Sequence, residues 1–247
     1  MCGIFCSIAQ NGFVSPDSAT EQLLRNRGPD SMGQHQVVLN ASPLDGNEVP
    51  GQLHATFLST VLSLRGTKVV DQPLRDADTS SILCWNGEAW TIEGEQVNGN
   101  DSQLIFEKLL AASRGANSGV SSTRATIALL SKIKGPYAFV FWDGRNKALF
   151  YGRDCLGRRS LLKKSTPDGT LILSSVCDNT SGESWAEVEA NGIYIMDLLL
   201  ASTSDSSLSS TLLAHGLSNN KHEEVISFVG KFCDMGSSLI TIDIAVP

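Results

Sequence analysis

The chain has 247 residues, 41% of them apolar, and its 19 basic and 26 acidic side chains give a formal net charge of −7. That is enough apolar material for one large domain or two small ones, while the acidic balance, with no Lys/Arg cluster, excludes a surface built to follow nucleic-acid phosphates or an anionic bilayer. No basic segment precedes an apolar run at the N-terminus and no stretch approaches the roughly 20 apolar residues of a membrane span, so a cytoplasmic protein is expected, without membrane or nucleic-acid partners.

Short apolar runs separated by turn chemistry predict strands, in chain order, at 3–9, 34–39, 53–64, 81–87, 137–143, 148–154, 170–176 and 192–198. Eight strands suggest two sheets. Between the fifth and sixth runs, Asp143-Gly144 supplies residues that tolerate positive φ and predicts a hairpin, and TPDGT (166–170) predicts a second. Two helices are expected outside the sheets. DSQLIFEKLLAAS (101–113) carries one apolar stripe with Asp101 or Ser102 as its cap, and SSTRATIALLSKI (121–133) repeats the pattern.

Beyond residue 200 the chain turns to Ser, Thr and Asn, which bury little, so 201–224 reads as linker or tail. EEVISFVGKF (223–232) suits a short helix and SLITIDIAVP (238–247) a strand, and the C-terminus looks cut there. The expected organisation is a domain over 2–198 followed by a Ser-rich, poorly defined tail over 199–247.

Six cysteines, at 2, 6, 84, 155, 177 and 233, stand singly in a long chain without an export signal, which favours reduced thiols over disulfides. The Cys2/Cys6 pair has no nearby His or second Cys pair to complete a tetrahedral zinc site, and no cofactor motif occurs, so neither metal nor cofactor is expected.

The chain opens MCGIF, so removal of Met1 would leave Cys2 as the terminal residue, its thiol and a free α-amine on one residue. A thiol with an ordinary pKa of about 8.5 needs a base, and an α-amine of pKa about 7.7–8.0 suits that task near neutrality. The covalent link sets their spacing, and Gly3 lets backbone pass close to a substrate. A cysteine at this position is by itself a weak signal, and the order of later motifs strengthens it.

NRGPD (26–30), DQPL (71–74), WNGEAW (85–90), NDSQLIFEKL (100–109), IKGPYAFVFWD (133–143) and YGRDCLGRRSLL (151–162) follow MCGI in series. Together they resemble the glutaminase domain of the class II glutamine amidotransferases, the N-terminal-nucleophile hydrolases at the front of asparagine synthetases. The resemblance covers roughly 2–198 and, through GRDCLGRRSLL and the shortened NGE, is similar to a divergent branch of that family. It implies an α+β fold, a four-layer αββα sandwich of two antiparallel sheets.

The resemblance also implies roles. Cys2 attacks the side-chain amide carbon of glutamine, ammonia leaves, and water releases glutamate from the thioester. The Asn86 side-chain amide and the Gly87 backbone N–H receive the oxyanion, glycine being suited because a Cβ would crowd it. Glu88, through its backbone, and Asp101 hold the α-amine of glutamine. Relatives place an arginine for the α-carboxylate at the start of a strand where the ungapped register puts Val61; Arg65, four residues on, would lie about 13 Å away along an unbroken strand. A bulge near Gly66 would bring Arg65 to the site. Arg27 is a candidate second cation within a structural turn, and Arg153 with Asp154 is expected to form an ion pair beside a turn at Gly157.

No Ser-Gly-Gly-x-Asp-Ser loop occurs in these residues, so the ATP-using synthetase half is expected to be absent and the ammonia-accepting domain or chain to be a partner. Two alternatives stand beside the glutaminase: a glutamine-binding or regulatory module of the same fold with impaired turnover, and an N-terminal-nucleophile amidase without glutamine selectivity.

Overall fold

A computed structural model describes residues 1–40, 52–115, 122–178, 185–197 and a strand at 223–227. Elements are numbered along the chain. One six-stranded antiparallel sheet runs in the order β13 (Ala186–Glu187), β11 (Leu162–Ser165), β12 (Leu171–Ser174), β1 (Gly3–Ala9), β3 (Gln52–Val61) and β2 (Ser31–Asn40). A second runs β15 (Glu223–Ser227), β14 (Gly192–Asp197), β10 (Ala148–Arg153), β9 (Tyr137–Asp143), β5 (Ile82–Gly87) and β4 (Leu74–Arg75), also antiparallel. Three short strands, β6 (Thr91–Ile92), β7 (Glu95–Gln96) and β8 (Ile133–Lys134), make a small third sheet.

The alternation of side chains along a strand sorts the apolar residues into layers. Ile4, Cys6 and Ile8 of β1 meet Phe57 of β3 and, from the opposite sheet, Cys84, Val140, Trp142 and Tyr151 in the central core. The intervening Phe5 points the other way and joins Leu58, Ile172 and Leu24 of helix α1 (Ser18–Arg27). On the far face of the second sheet, Leu83, Trp85, Phe139, Phe141 and Phe150 pack against Ile105, Phe106 and Leu109 of α2 (Asp101–Ser113) and Ile127 and Leu130 of α3 (Ser122–Leu130). The architecture is the expected αββα sandwich. Sheets covered on both faces need strands apolar at nearly every position, which is why YAFVFWD is buried throughout.

All eight predicted strands are present, and both predicted helices. Helix α1 was not anticipated, because only Thr20 and Leu24 are buried and no apolar stripe is visible. It is held instead by Asp17, whose carboxylate accepts from Thr20 N at 2.8 Å and Thr20 Oγ1 at 2.9 Å. Several expectations are corrected. The cap of α2 is Asn100, accepting from Ser102 N at 3.1 Å; Asp101 is the first helical residue and its carboxylate is used elsewhere. In the β9–β10 hairpin it is Lys147 that takes positive φ, 56°, while Gly144 is small because a Cβ there would lie 2.2 Å from Thr79 O. The TPDGT turn does place Gly169 at φ 81° between β11 and β12.

Arg153 and Asp154 do not pair with each other, since neighbours at a strand end point to opposite faces. Arg153 reaches Glu187 at 3.4 Å and the carbonyls of Arg159, Val188 and Gly157; Asp154 accepts from Arg158 Nε at 2.8 Å. The predicted turn glycine, Gly157, has φ 61°. Residues 223–227, expected in a helix, form β15 against β14, because the neighbouring strand offers a hydrogen-bonding edge that local periodicity does not reveal. Cys233 and the strand expected over 238–247 lie outside the described residues, as does most of the predicted tail. Among the described residues no helix is long and apolar enough to cross a membrane.

Candidate active site

Cys2 stands at the entrance of β1, an interior strand bonded to β12 and β3 along its length. Arg27 holds the Cys2 backbone and is itself tied through Ser160 to Ser175, which binds β1 at Ile4. Arg27 Nε donates to Cys2 O at 3.2 Å and Arg27 Nη1 to Ser160 Oγ at 3.0 Å; Ser160 Oγ donates to Ser175 O at 2.8 Å, and Ile4 N donates to Ser175 Oγ at 3.1 Å. Gly3 is needed for a different reason from the one expected: a Cβ would meet Thr60 Oγ1 at 2.4 Å and Leu24 Cδ2 at 2.9 Å, so the protein's own side chains fill the space. The RGPD turn is fastened to the end of β3, with Asp30 N donating to Val61 O at 2.9 Å and Asp30 Oδ2 accepting from Ser63 N at 2.7 Å.

The ends of β1, β3 and β5 open on one cleft. Cys2, Arg65, Asn86, Gly87, Glu88 and Asp101, the six residues singled out from the sequence, all line it. So do Met1, Gln72, Trp85 and Arg159. The Cys2 thiol is 3.8 Å from Leu62 O, and burial pushes its pKa above the ordinary thiol value. With Met1 in place the nitrogen of Cys2 is a peptide nitrogen, and the terminal amine belongs to Met1, 3.3 Å from Arg27 O. Burial lowers the pKa of that amine, as do Arg27 and Arg159 nearby.

Asn86 is 1% exposed, and its Nδ2 is buried without a hydrogen-bond partner. Leaving such a donor unmatched costs about 1–3 kcal/mol, so an orphan amide beside a thiol is a feature the fold tolerates at a loss. Gly87 follows it at the end of β5, opposite Tyr137 of β9. The absence of a side chain at 87 serves strand packing, since a Cβ would lie 2.6 Å from both Pro136 O and Tyr137 Cβ, a reason for glycine independent of any oxyanion. Gln72, buried, accepts from Trp85 N at 2.8 Å and supports β5 from below.

Asp101 is 5% exposed and its Oδ2 accepts from Ala89 N at 2.6 Å and Trp85 Nε1 at 3.2 Å. Burial raises its pKa, opposed by these bonds and by the positive charge of Arg65. Strand β3 ends at Val61, so the 13 Å that an unbroken strand would impose does not arise: the chain turns at Gly66, φ 86°, and Arg65 reaches the cleft. Its Nη1 donates to Ala89 O at 3.0 Å and its Nη2 to Val97 O at 2.9 Å. Glu88 N donates to Pro136 O at 2.9 Å, and the Glu88 carboxylate faces Arg159 Nη2 at 3.4 Å. A half-exposed pair at that distance contributes at most about 1 kcal/mol.

Arg159 was not singled out from the sequence, although it lies in the GRDCLGRRSLL motif. The signal available was the Arg158-Arg159 pair after the Gly157 turn; Arg158 goes to Asp154, and Arg159 is delivered to the cleft. Among the described residues no group of three or more His, Cys, Asp or Glu side chains is arranged to hold a metal ion.

Residues 60–179 match the glutamine amidotransferase domain family. Asparagine synthetase domain-containing protein 1 of Bos taurus is 34% identical over 212 residues, covering 83% of this chain and 30% of that protein. The protein of the same name from Homo sapiens is 33% identical, covering 80% and 28%. Glutamine-hydrolyzing asparagine synthetase of Mesocricetus auratus is 26% identical, covering 74% and 29%. The chain therefore spans about three tenths of the length of the curated relatives it matches. Glutamine phosphoribosylpyrophosphate amidotransferase from B. subtilis, a solved structure, superposes with a TM-score of 0.49 at 18% identity over 79% of this chain and 47% of that chain. The family match and the sequence similarity agree: the chain carries a class II glutamine amidotransferase domain related to that of asparagine synthetase, and it is similar to asparagine synthetase domain-containing protein 1.

Proposed function

We propose that this domain hydrolyses glutamine to glutamate and ammonia with Cys2 as nucleophile, once Met1 has been removed. The observation that carries the reading is the shared cleft of a half-buried thiol and the orphan Nδ2 of Asn86. The Cys2 sulfur attacks the γ-amide carbon as its proton passes to the Cys2 α-amine. The carbonyl oxygen gains negative charge facing Asn86 Nδ2 and Gly87 N, the C–N bond breaks, and ammonia leaves carrying a proton from the amine. Water then cleaves the thioester, giving glutamate and the free thiol. We assign the substrate ammonium to Asp101 and the Glu88 backbone, which line the same cleft, with Arg65 bracing that wall. The relatives are much longer than this chain, so the ammonia acceptor is a synthetase domain elsewhere in the protein or on a partner chain, as in asparagine biosynthesis.

The binding-module alternative predicts that Met1 is retained, which would leave no free amine on Cys2 and keep the Met1 side chain in the cleft lining. Intact mass and glutamine-dependent ammonia release separate the two. A glutamine-like electrophile is expected to add once, on Cys2, with excess glutamine blocking it, and Cys2→Ala to abolish ammonia release with the melting temperature retained. Met1-free protein that neither releases ammonia nor takes the label would leave only the binding module.

A further inference from the structure

Two guanidinium groups converge on the first residue. Arg159 Nη1 is 3.3 Å and Arg27 Nη2 3.8 Å from the Met1 sulfur, a weak acceptor with no charge. Arg159 Nε is buried with no hydrogen-bond partner, and Nη2 has only the 3.4 Å approach of Glu88 Oε1. A guanidinium presents five donors in a planar fork. That of Arg159 therefore faces the nucleophile's cleft undersupplied with acceptors, beside a second positive charge. Arg27 is committed on its other nitrogens to Cys2 O and Ser160 Oγ. Arg65, the other cation lining the cleft, already directs both terminal nitrogens to backbone carbonyls.

We infer that Arg159, backed by the charge of Arg27, is the residue that grips the α-carboxylate of the amide substrate, and that removal of Met1 opens this position as well as freeing the Cys2 amine. The inference rests on the glutamine reading of the same cleft and assigns its carboxylate partner to Arg159 instead of Arg65. The chemistry follows from the unmet donors: a carboxylate supplies two oxygens to a fork that now meets a thioether and one carboxylate oxygen at 3.4 Å. Arg65 is left as a brace that holds the Ala89 and Val97 backbone.

The test measures binding to Met1-free protein carrying Cys2→Ala, so that no turnover intervenes, using L-glutamine and 4-aminobutanamide, which is glutamine without its α-carboxylate. Arg159→Met is expected to weaken glutamine about tenfold or more, to the level of the analogue, and to leave the analogue unchanged, as loss of a charge-assisted fork requires. Arg159→Lys should fall between, and melting temperatures report whether each variant folds. Arg65→Met should weaken both ligands alike. Unchanged glutamine affinity in Arg159→Met, or equal weakening of both ligands, overturns the assignment while leaving glutamine hydrolysis standing. No glutamine binding by the parent protein overturns both. Arg159-dependent glutamine binding without ammonia release from protein with Cys2 intact keeps the carboxylate site and removes the hydrolytic reading.

Discussion

At Asn86 a single side chain links the motif to the proposed chemistry. WNGE marks it in the sequence, but that its Nδ2 lacks a partner depends on which groups from β1, β3 and β9 fail to reach it. If that amide receives the oxyanion, Asn86→Ala lowers kcat for ammonia release about 10²–10³-fold, with KM nearly unchanged, because the bond forms only as charge develops. Steady-state kinetics on Met1-free protein read this directly. Cys2 makes a second test through pH. Burial disfavours the thiolate, so alkylation of Cys2 in protein retaining Met1 should rise with pH around a midpoint above that of an exposed cysteine. Removal of Met1 places a protonatable amine on the same residue and should bring the midpoint down. Peptide mass spectrometry of pulse-alkylated protein separates Cys2 from Cys155 and Cys177, which are also part-exposed. An unchanged midpoint after Met1 removal counts against the amine as its base.

Among the elements, helix α1 shows how a segment without an apolar stripe is still specified. Its position depends on a cap, Asp17, and on one buried leucine, Leu24. Asp17→Ala should cost about 1 kcal/mol in urea unfolding, the usual loss for such a cap. The hydrogen bonds from Thr20 hold the Asp17 carboxyl below its ordinary pKa. A depressed folded-state value means that the stabilisation is complete above the unfolded pKa of about 3.9 and disappears as pH falls through the lower folded value. The difference between Asp17→Ala and the parent should therefore shrink in acid, and a difference that stays constant would mean that packing, not the cap, was lost. The helix matters to the site because it ends at Arg27, which holds the Cys2 carbonyl. Strand β5 works similarly from the other sheet: its apolar run ends in Asn86-Gly87 where β9 begins, which brings the amide to the mouth of the sandwich.

For the molecule as a whole, the two sheets are held face to face by a core in which Trp142, Phe57 and Tyr151 are fully buried. Trp142→Ala should cost about 3–5 kcal/mol, measured as a fall in the urea midpoint with an unchanged slope. Since the cleft is built where β1 and β3 of one sheet meet β5 of the other, a change that lets the sheets slide should also reduce labelling of Cys2 before the protein unfolds. Labelling that stays constant up to the global transition would show that the cleft is insensitive to sheet packing.

Alternating or continuous apolar runs were sufficient to locate eight strands and two helices, and the motif series to name six residues that share the cleft, because both depend on patterns within short segments. The contacts that decide the site join segments far apart in the chain. Arg27 reaches Cys2, Glu88 meets Arg159, and Arg153 turns away from Asp154 toward Glu187. Such pairings are set by strand order and by the facing of two sheets, which a residue's neighbours in sequence do not encode. The sequence alone therefore determined the layers and the candidate residues, whereas the tertiary structure decided which cation faces the cleft with unmet donors, since an unmet donor is a property of everything packed around it.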